Sequence, residues 1–266
     1  MMNCQNPMTL YQLCIIMHVE PSGFDFIYNG NIEITNCDLL ARNIIVNGNI
    51  RMYGQGVING TSIIKCSGSI HTNGNVIGGI IETKGNIISS SGSVIACNSL
   101  KANNIFVKKE IECVNGPIDV DGNLNAYKII SSELYIKSRV IECDTELYCP
   151  GDIIAADISC GELSCNNGYI EEDISAKIVS FNELLRIGGN AKFDSVNTNG
   201  QLEVRGDLTV TNFLDLRAKV LVSGIMTVED YKVNTYKDFY AFYLSIKKRG
   251  ELLLSSFVIS ILIIPK

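Results

Sequence analysis

The segment Asn199–Thr211, NGQLEVRGDLTVT, contains one short phrase twice. Gly200 and Gly206 each precede a polar residue and then two apolar residues that alternate with polar ones, so the phrase recurs after six residues. Such alternation indicates a strand with one buried side, because successive side chains of a strand point to opposite faces. The segment therefore predicts short strands joined at glycine corners.

The same phrase recurs from about residue 28 to residue 228, and a longer period of 18 residues separates Gly30 from Gly48 and Gly206 from Gly224. A coil with three six-residue sides explains both periods. About 11 such coils stacked at about 4.8 Å form a rod on the order of 50 Å long. The sequence predicts an all-β fold, a β-solenoid in the form of a three-sided parallel β-helix with about 17–18 residues per coil.

Two further expectations follow from this repeat. Glycine, Asn and Asp recur at the corners, where we expect them because they tolerate a positive φ angle. The first apolar residue of each phrase is predicted to point inward, so that these residues line one tube. They are Ile32, Ile50, Ile70, Ile87, Leu124, Ile153 and Leu208.

The repeat divides the chain into three parts. Residues 1–27 lack the phrase and are predicted to cap the first coil, and residues 28–228 form the solenoid. Residues 229–266 are predicted to form a C-terminal helix, with Tyr236, Phe239 and Tyr243 on one face, followed by an apolar tail. The tail residues 252–264 are too few to span a bilayer as a helix. A buried cap or self-association strand is favoured for them, and membrane contact is left open.

Composition limits the function. The formal net charge is -6 and the repeats contain no basic cluster, which argues against nucleic-acid binding. The apolar run Leu10–Val19 is not preceded by Lys or Arg, because the first basic residue is Arg42, so a secretory signal is not predicted. The ten cysteines are therefore expected to be reduced in an intracellular, cytoplasmic protein, with association to a membrane through the tail left open.

The cysteines follow the repeat. Cys66, Cys113, Cys143 and Cys165 each lie two residues after an apolar residue, which is the second inward position of a strand. Cys143 and Cys160 are 17 residues apart, about one coil, as are Cys149 and Cys165 at 16 residues, so their sulfurs are predicted to stack. No close CxxC pair exists. We therefore interpret these cysteines as small core residues and predict no metal site and no cofactor.

The repeat resembles that of the bactofilins, which are polymer-forming β-helical cytoskeletal proteins. The resemblance rests on Val204-x-Gly206-Asp207-Leu208 and Cys149-x-Gly151-Asp152-Ile153, and it extends over residues 28–228. It implies a right-handed coil, nucleotide-free polymerisation end to end through the terminal coils, and no cofactor.

Two enzymatic resemblances are weaker. Period-six solenoids resemble the hexapeptide-repeat acyltransferases, whose catalytic base is a histidine, and His71 is the candidate within the repeats. Alternation points His71 outward. Right-handed β-helices that cleave carbohydrates use acidic pairs, for which Asp119 with Asp121 and the run 171–173 are candidates, although solvated faces explain them better.

The sequence thus predicts a non-enzymatic structural or scaffold protein that self-associates through its terminal coils, with no catalytic residues. A fibre, stalk or adhesin-like binding module is the first alternative. An acyltransferase of the hexapeptide kind is the second.

Overall fold

The computed structural model describes residues 25–132, 134–216, 218–228, 239–248 and 251–253. Within these ranges the chain forms 22 β-strands and no helix. The strands are β1 Asp25–Asn29, β2 Ile32–Thr35, β3 Leu39–Asn47, β4 Ile50–Tyr53, β5 Ile58–Cys66, β6 Ile70–Thr72, β7 Val76–Thr83, β8 Asn86–Ser89, β9 Val94–Ala102, β10 Asn104–Cys113, β11 Ile118–Val120, β12 Asn123–Ser131, β13 Tyr135–Lys137, β14 Val140–Ala155, β15 Asp157–Ile170, β16 Ile174–Ile187, β17 Ala191–Thr198, β18 Gln201–Val204, β19 Leu208–Leu216, β20 Val220–Val228, β21 Phe239–Lys248 and β22 Glu251–Leu253.

Strands β1 to β21 stack in parallel, each on the strand that lies one coil further along the chain. Paired residues are 18 positions apart at Ile32 and Ile50, and 17 apart at Ile141 and Ile158. About 11 turns result. The predicted β-solenoid and its period are confirmed, and the handedness of the coil stays a prediction.

Each coil has three sides, which we call face 1, face 2 and face 3. Every side buries two inward residues and exposes the residues between and beside them. In the second described coil the inward pairs are Ile44 and Val46 on face 1, Ile50 and Met52 on face 2, and Ile58 and Gly60 on face 3.

The inward residues of successive coils form continuous columns. The first column of face 2 is in register from coil to coil, and its members are at most 6% exposed. Each buried Ile or Leu contributes about 1.5–3 kcal/mol relative to an exposed one. The seven predicted inward residues are all buried, and six of them belong to this column, whereas Ile153 lies in the first column of face 1. The column contains Ile32, Ile50, Ile70, Ile87, Ile105, Leu124, Ile141, Ile158, Ile174, Ala191, Leu208 and Met226.

The corners correct the expectation of positive φ. In the described ranges, positive φ occurs at Asn36, Gly30 and Gly54. The glycines before face 2 are instead needed because consecutive coils approach closely there. A Cβ added to Gly68 lies 2.7 Å from the carbonyl oxygen of Gly48, and Cβ atoms essentially never come so close to another atom. Glycine is required at this corner by the spacing between coils, not by its conformational freedom.

Both ends differ from the prediction. The first strand begins at Asp25, three residues before the predicted boundary, and most of the predicted cap, residues 1–24, lies outside the described residues. The predicted C-terminal helix is wrong: β21 pairs in parallel with β20, and its last three residues pair in antiparallel fashion with β22. The open backbone edge of β20 offers hydrogen bonds that a helix cannot use, and aromatic residues suit a pleated surface. The tail after Leu253 lies outside the described residues.

Candidate interaction surfaces

A ladder of side-chain hydrogen bonds joins the coils at the corner before face 2. We call it the corner ladder. In its first part an amide or hydroxyl oxygen accepts the backbone N–H of the equivalent residue in the next coil. Asn31 Oδ1 accepts from Asn49 at 2.9 Å, and Asn49 Oδ1 accepts from Ser69 at 2.8 Å. Ser69 Oγ accepts from Asn86 at 3.0 Å. Each coil thereby fixes the position of the next one.

Carboxylates perform the same role in the second part of the corner ladder. Asp157 Oδ1 accepts from the backbone of Asp173 at 3.2 Å, and Asp173 Oδ1 accepts from Asn190 at 2.6 Å. Asp207 Oδ1 accepts from the backbone of Ile225 at 2.7 Å. Only one carboxylate oxygen is used in each of these bonds. The ladder therefore leaves a row of negative charge along this edge of face 2.

The two parts of the ladder are separated at Val140, which has no side-chain acceptor. The backbone N–H of Asp157 donates to the carbonyl of Arg139 at 3.2 Å instead, and the N–H of Val140 donates to that of Gly122 at 3.3 Å. Val140 thus marks the boundary between a neutral and an acidic ladder.

The second inward position of each side has its own chemistry. Cys66 Sγ donates to the carbonyl of Gly48 at 2.9 Å, and Cys143 Sγ donates to that of Glu146 at 3.0 Å. Buried hydroxyls make equivalent bonds in other coils: Ser89 to Gly74 at 2.8 Å, Ser138 to Gly122 at 2.8 Å and Thr198 to Gly200 at 3.1 Å. The thiols are therefore more than small apolar residues, because they also satisfy corner carbonyls. The sequence interpretation missed this second role.

The predicted cysteine stacks are confirmed. Cys143 is in register with Cys160, and Cys149 with Cys165, on adjacent strands β14 and β15. Burial raises the pKa of Cys113 and Cys143 to about 11, and that of Cys160 and Cys165 to about 12. A thiol that resists ionisation is a poor nucleophile. Within the described ranges, no group of three or more His, Cys, Asp or Glu residues is placed to hold a metal ion.

The other candidates from the sequence lie on the outer surface. His71 points outward on face 2, half-buried, in register with Arg51 and Ile88. Asp119 lies 3.8 Å from the ammonium group of Lys101. The run 171–173 is exposed, and its Asp173 belongs to the corner ladder. The structure does not bring these groups together.

Face 1 balances its charges along the stack. Lys65 pairs with Glu82 at 3.1 Å, and Lys101 with Asp119, each from one coil to the next. Further along, Arg186 Nε donates to Glu203 at 2.7 Å, and this hydrogen bond is the main cause of the lowered pKa of the Glu203 carboxyl. Basic and acidic residues thus alternate on face 1.

Face 2 separates its charges instead. Arg51, Lys108 and Lys109 lie on or beside its first half, together with the single acid Glu33. Its second half carries six acidic residues and two lysines, all in or beside the strands β14 to β19: Glu142, Asp144, Asp157, Asp173, Asp194, Asp207, Lys177 and Lys192.

The two halves of face 2 also differ in shape. A groove of about 560 Å³ follows the second half and is lined by carboxylates, by the Ser159 and Thr209 hydroxyls and by Lys192. The first half and the middle carry protruding aromatic side chains. Tyr53 is 48% exposed, Phe106 is 37% and Tyr127 is 51%.

Comparisons with known proteins find no matching family model, no similar curated protein and no similar solved structure. Among the described residues there is also no helix with the length and apolarity needed to cross a membrane. The argument about function therefore rests on the repeat, its ladders and its faces.

Proposed function

We propose that this chain is a non-enzymatic structural protein of the cytoplasm that self-associates into a bactofilin-like assembly. The observation that carries the proposal is the uniformity of the repeat. Every internal coil is held by the same parallel pairing and corner hydrogen bonds, so the first coil presents the same kind of edge that its neighbours use. Such an edge is a template for a further parallel strand.

The edge of β2 illustrates this. Within the described residues β2 pairs with β4 only, and the N–H of Ile32 donates toward that neighbour, to Asn49 at 2.8 Å. Because successive residues of a parallel strand bond to opposite sides, the N–H of Glu33 faces away from the stack. At the other end β22 covers the last three residues of β21, so growth there requires β22 to move.

Negative-stain microscopy and light scattering of the purified chain, over a range of concentrations, test the proposal. We expect an average mass that rises with concentration, and elongated particles longer than one solenoid. Glu33→Pro removes the outward N–H and is expected to shorten the assemblies, whereas Glu33→Ala, its matched control, leaves them unchanged. A chain that stays monomeric at every concentration contradicts the proposal.

A second candidate, a fibre or stalk module, is favoured by one observation. The second half of face 3 carries only small polar residues in register, namely Ser164, Ser180 and Asn197. A flat polar face on a rod suits binding to an extended surface. For this function we expect a monomeric rod in the same scattering experiment. The acyltransferase alternative has no comparable support, since His71 is not among the residues that line the groove.

A further inference from the structure

The separation of charge on face 2 is the starting point. On face 1 the acidic and basic residues neutralise one another within the chain, whereas Lys108 and Asp144 on face 2 make no salt bridge among the described residues. Both are exposed. A surface that is basic at one end and acidic at the other is complementary to a reversed copy of itself.

We propose that two copies of the chain pair through face 2 in antiparallel orientation, about a two-fold axis that passes beside Asn125 and Tyr127. The proposal rests on the self-association proposed above and names the surface and the partner. In such a pair the rods run in opposite directions while their strands run the same way. Each outward column therefore faces the same column of the other copy.

The outer column of face 2 fits this arrangement. It consists of the residues that follow the second inward residue. Tyr127 lies on the axis and meets its own equivalent. Lys108 lies one coil before it and Asp144 one coil after it, so each Lys108 faces an Asp144 of the other copy. Two ion pairs and one aromatic contact then form around the axis.

The corner ladder fits as well. Two coils before the axis it presents the Asn86 amide, and two coils after it the Asp157 carboxylate. Three coils away, Ser69 faces Asp173. The free carboxylate oxygens of the acidic part thus meet the amide and hydroxyl donors of the neutral part. Each ladder supplies what the other lacks.

The middle column contains the remaining contacts. Phe106 faces the coil of Glu142 at the start of the acidic groove, and Ile88 faces Ser159. One like-charge pair, Arg51 opposite Lys192, occurs in this register. Asp194 lies beside Lys192 and is within the same coil, which places a carboxylate next to the pair.

The size of the surface is adequate. A face about 50 Å long and about 16 Å wide, from the coil rise and a five-residue strand, has roughly 800 Å² per copy. Specific interfaces bury about that area on each partner. Because both faces repeat at the same coil rise, of about 4.8 Å, their ladders stay in register along the whole length.

A charge swap tests the pairing. Lys108→Asp or Asp144→Lys alone places like charges opposite each other, and we expect at least a tenfold weaker dimer by sedimentation equilibrium. The double variant restores opposite charges and should return to within about threefold of the original affinity. Lys137→Asp is the matched control on face 1, with the same change of net charge, and should leave dimerisation unchanged. Equal weakening by Lys137→Asp and Lys108→Asp contradicts the pairing.

Cross-linking tests the axis. In a Cys97→Ser background, which removes the exposed native thiol, Tyr127→Cys is expected to form a disulfide-linked dimer on mild oxidation with oxidised glutathione. Tyr169→Cys, at an exposed tyrosine of face 1, and the background alone should not. Circular dichroism confirms that each variant is folded.

The two proposals fail in different ways. Assembly that persists with no Tyr127→Cys cross-link and no effect of the charge swap overturns the face 2 pairing but leaves the proposed function standing. A chain that is monomeric throughout overturns both.

Discussion

The coils before Val140 and those after it use the same backbone geometry with different side-chain chemistry. Before Val140 the corner ladder consists of amides and one hydroxyl, and the buried donors to corner carbonyls are mostly hydroxyls such as Ser89. In the coils that follow, the ladder contains carboxylates such as Asp173, and thiols such as Cys143 replace many of the hydroxyls. The solenoid thus requires an acceptor and a donor at fixed positions and tolerates several groups at each.

The difference between the two regions is their response to protons. Amides and hydroxyls do not titrate in the range where proteins are stable, whereas carboxylates and thiols do. The first region is therefore held together by groups that are neutral at every accessible pH. The region around β14 and β15 is not.

The largest expected effect is loss of stability at alkaline pH, starting in β14 and β15. The pKa of Cys160 and of Cys165 is about 12 in the folded chain, against 9.0 for an ordinary thiol, because of burial. Between these values the folded state retains protons that the unfolded state has lost, so the free energy of unfolding falls as pH rises. The fall is up to about 1.4 kcal/mol per pH unit for each such thiol. Urea unfolding from pH 8 to pH 11, under reducing conditions, measures it.

The double variant Cys160→Ala with Cys165→Ala is the control. Alanine suits the column of Cys160, since its neighbour in the next coil is Ala176. The variant should be less stable at pH 8 but lose less stability between pH 9 and pH 11 than the natural chain. An unchanged slope assigns the alkaline effect to other groups.

The sequence was sufficient to predict the columns, because alternation and the period of 17–18 residues both survive from end to end. It failed at Phe239–Lys248, where aromatic spacing fits a helical face and a strand equally well. The exposed edge of β20 decides between them, and a pattern within one segment does not contain that edge. Local periodicity alone is thus weakest at the ends of a solenoid.

The second expected effect compares single acceptors in the two parts of the corner ladder. Asp173→Ala removes a charged acceptor from the N–H of Asn190 and should lower the free energy of unfolding by about 1.5–2 kcal/mol. Asn49→Ala removes a neutral acceptor from Ser69 and should cost about 1 kcal/mol. Urea unfolding at one low protein concentration gives both values without a contribution from association.

Asp173→Asn distinguishes the acceptor from its charge. It retains an oxygen for the N–H of Asn190, so we expect a cost below about 0.5 kcal/mol. A cost equal to that of Asp173→Ala means that the charge matters more than the hydrogen bond, and the two parts of the ladder are then not equivalent.

The ladders show why the candidate surfaces were only partly predictable. Asn and Asp before the first inward residue are visible in the sequence at the coil period, and that spacing was the available signal. It was interpreted as a preference for positive φ because glycine, Asn and Asp share that property. The register of the coils is needed to see that Asn49 bonds to the coil of Ser69, and to see which charges share face 2.

The smallest expected effect concerns Val140, where the neutral and acidic parts of the ladder meet. Val140→Asn supplies the missing acceptor for the N–H of Asp157, which now donates to Arg139 at 3.2 Å. We expect a gain of about 0.5 kcal/mol, since one net hydrogen bond is partly offset by the lower strand preference of Asn. Val140→Ala removes the side chain without adding an acceptor and should destabilise the chain. If the asparagine variant is no more stable than the alanine variant in urea, the interruption has no cost, and the neutral and acidic parts act as independent ladders.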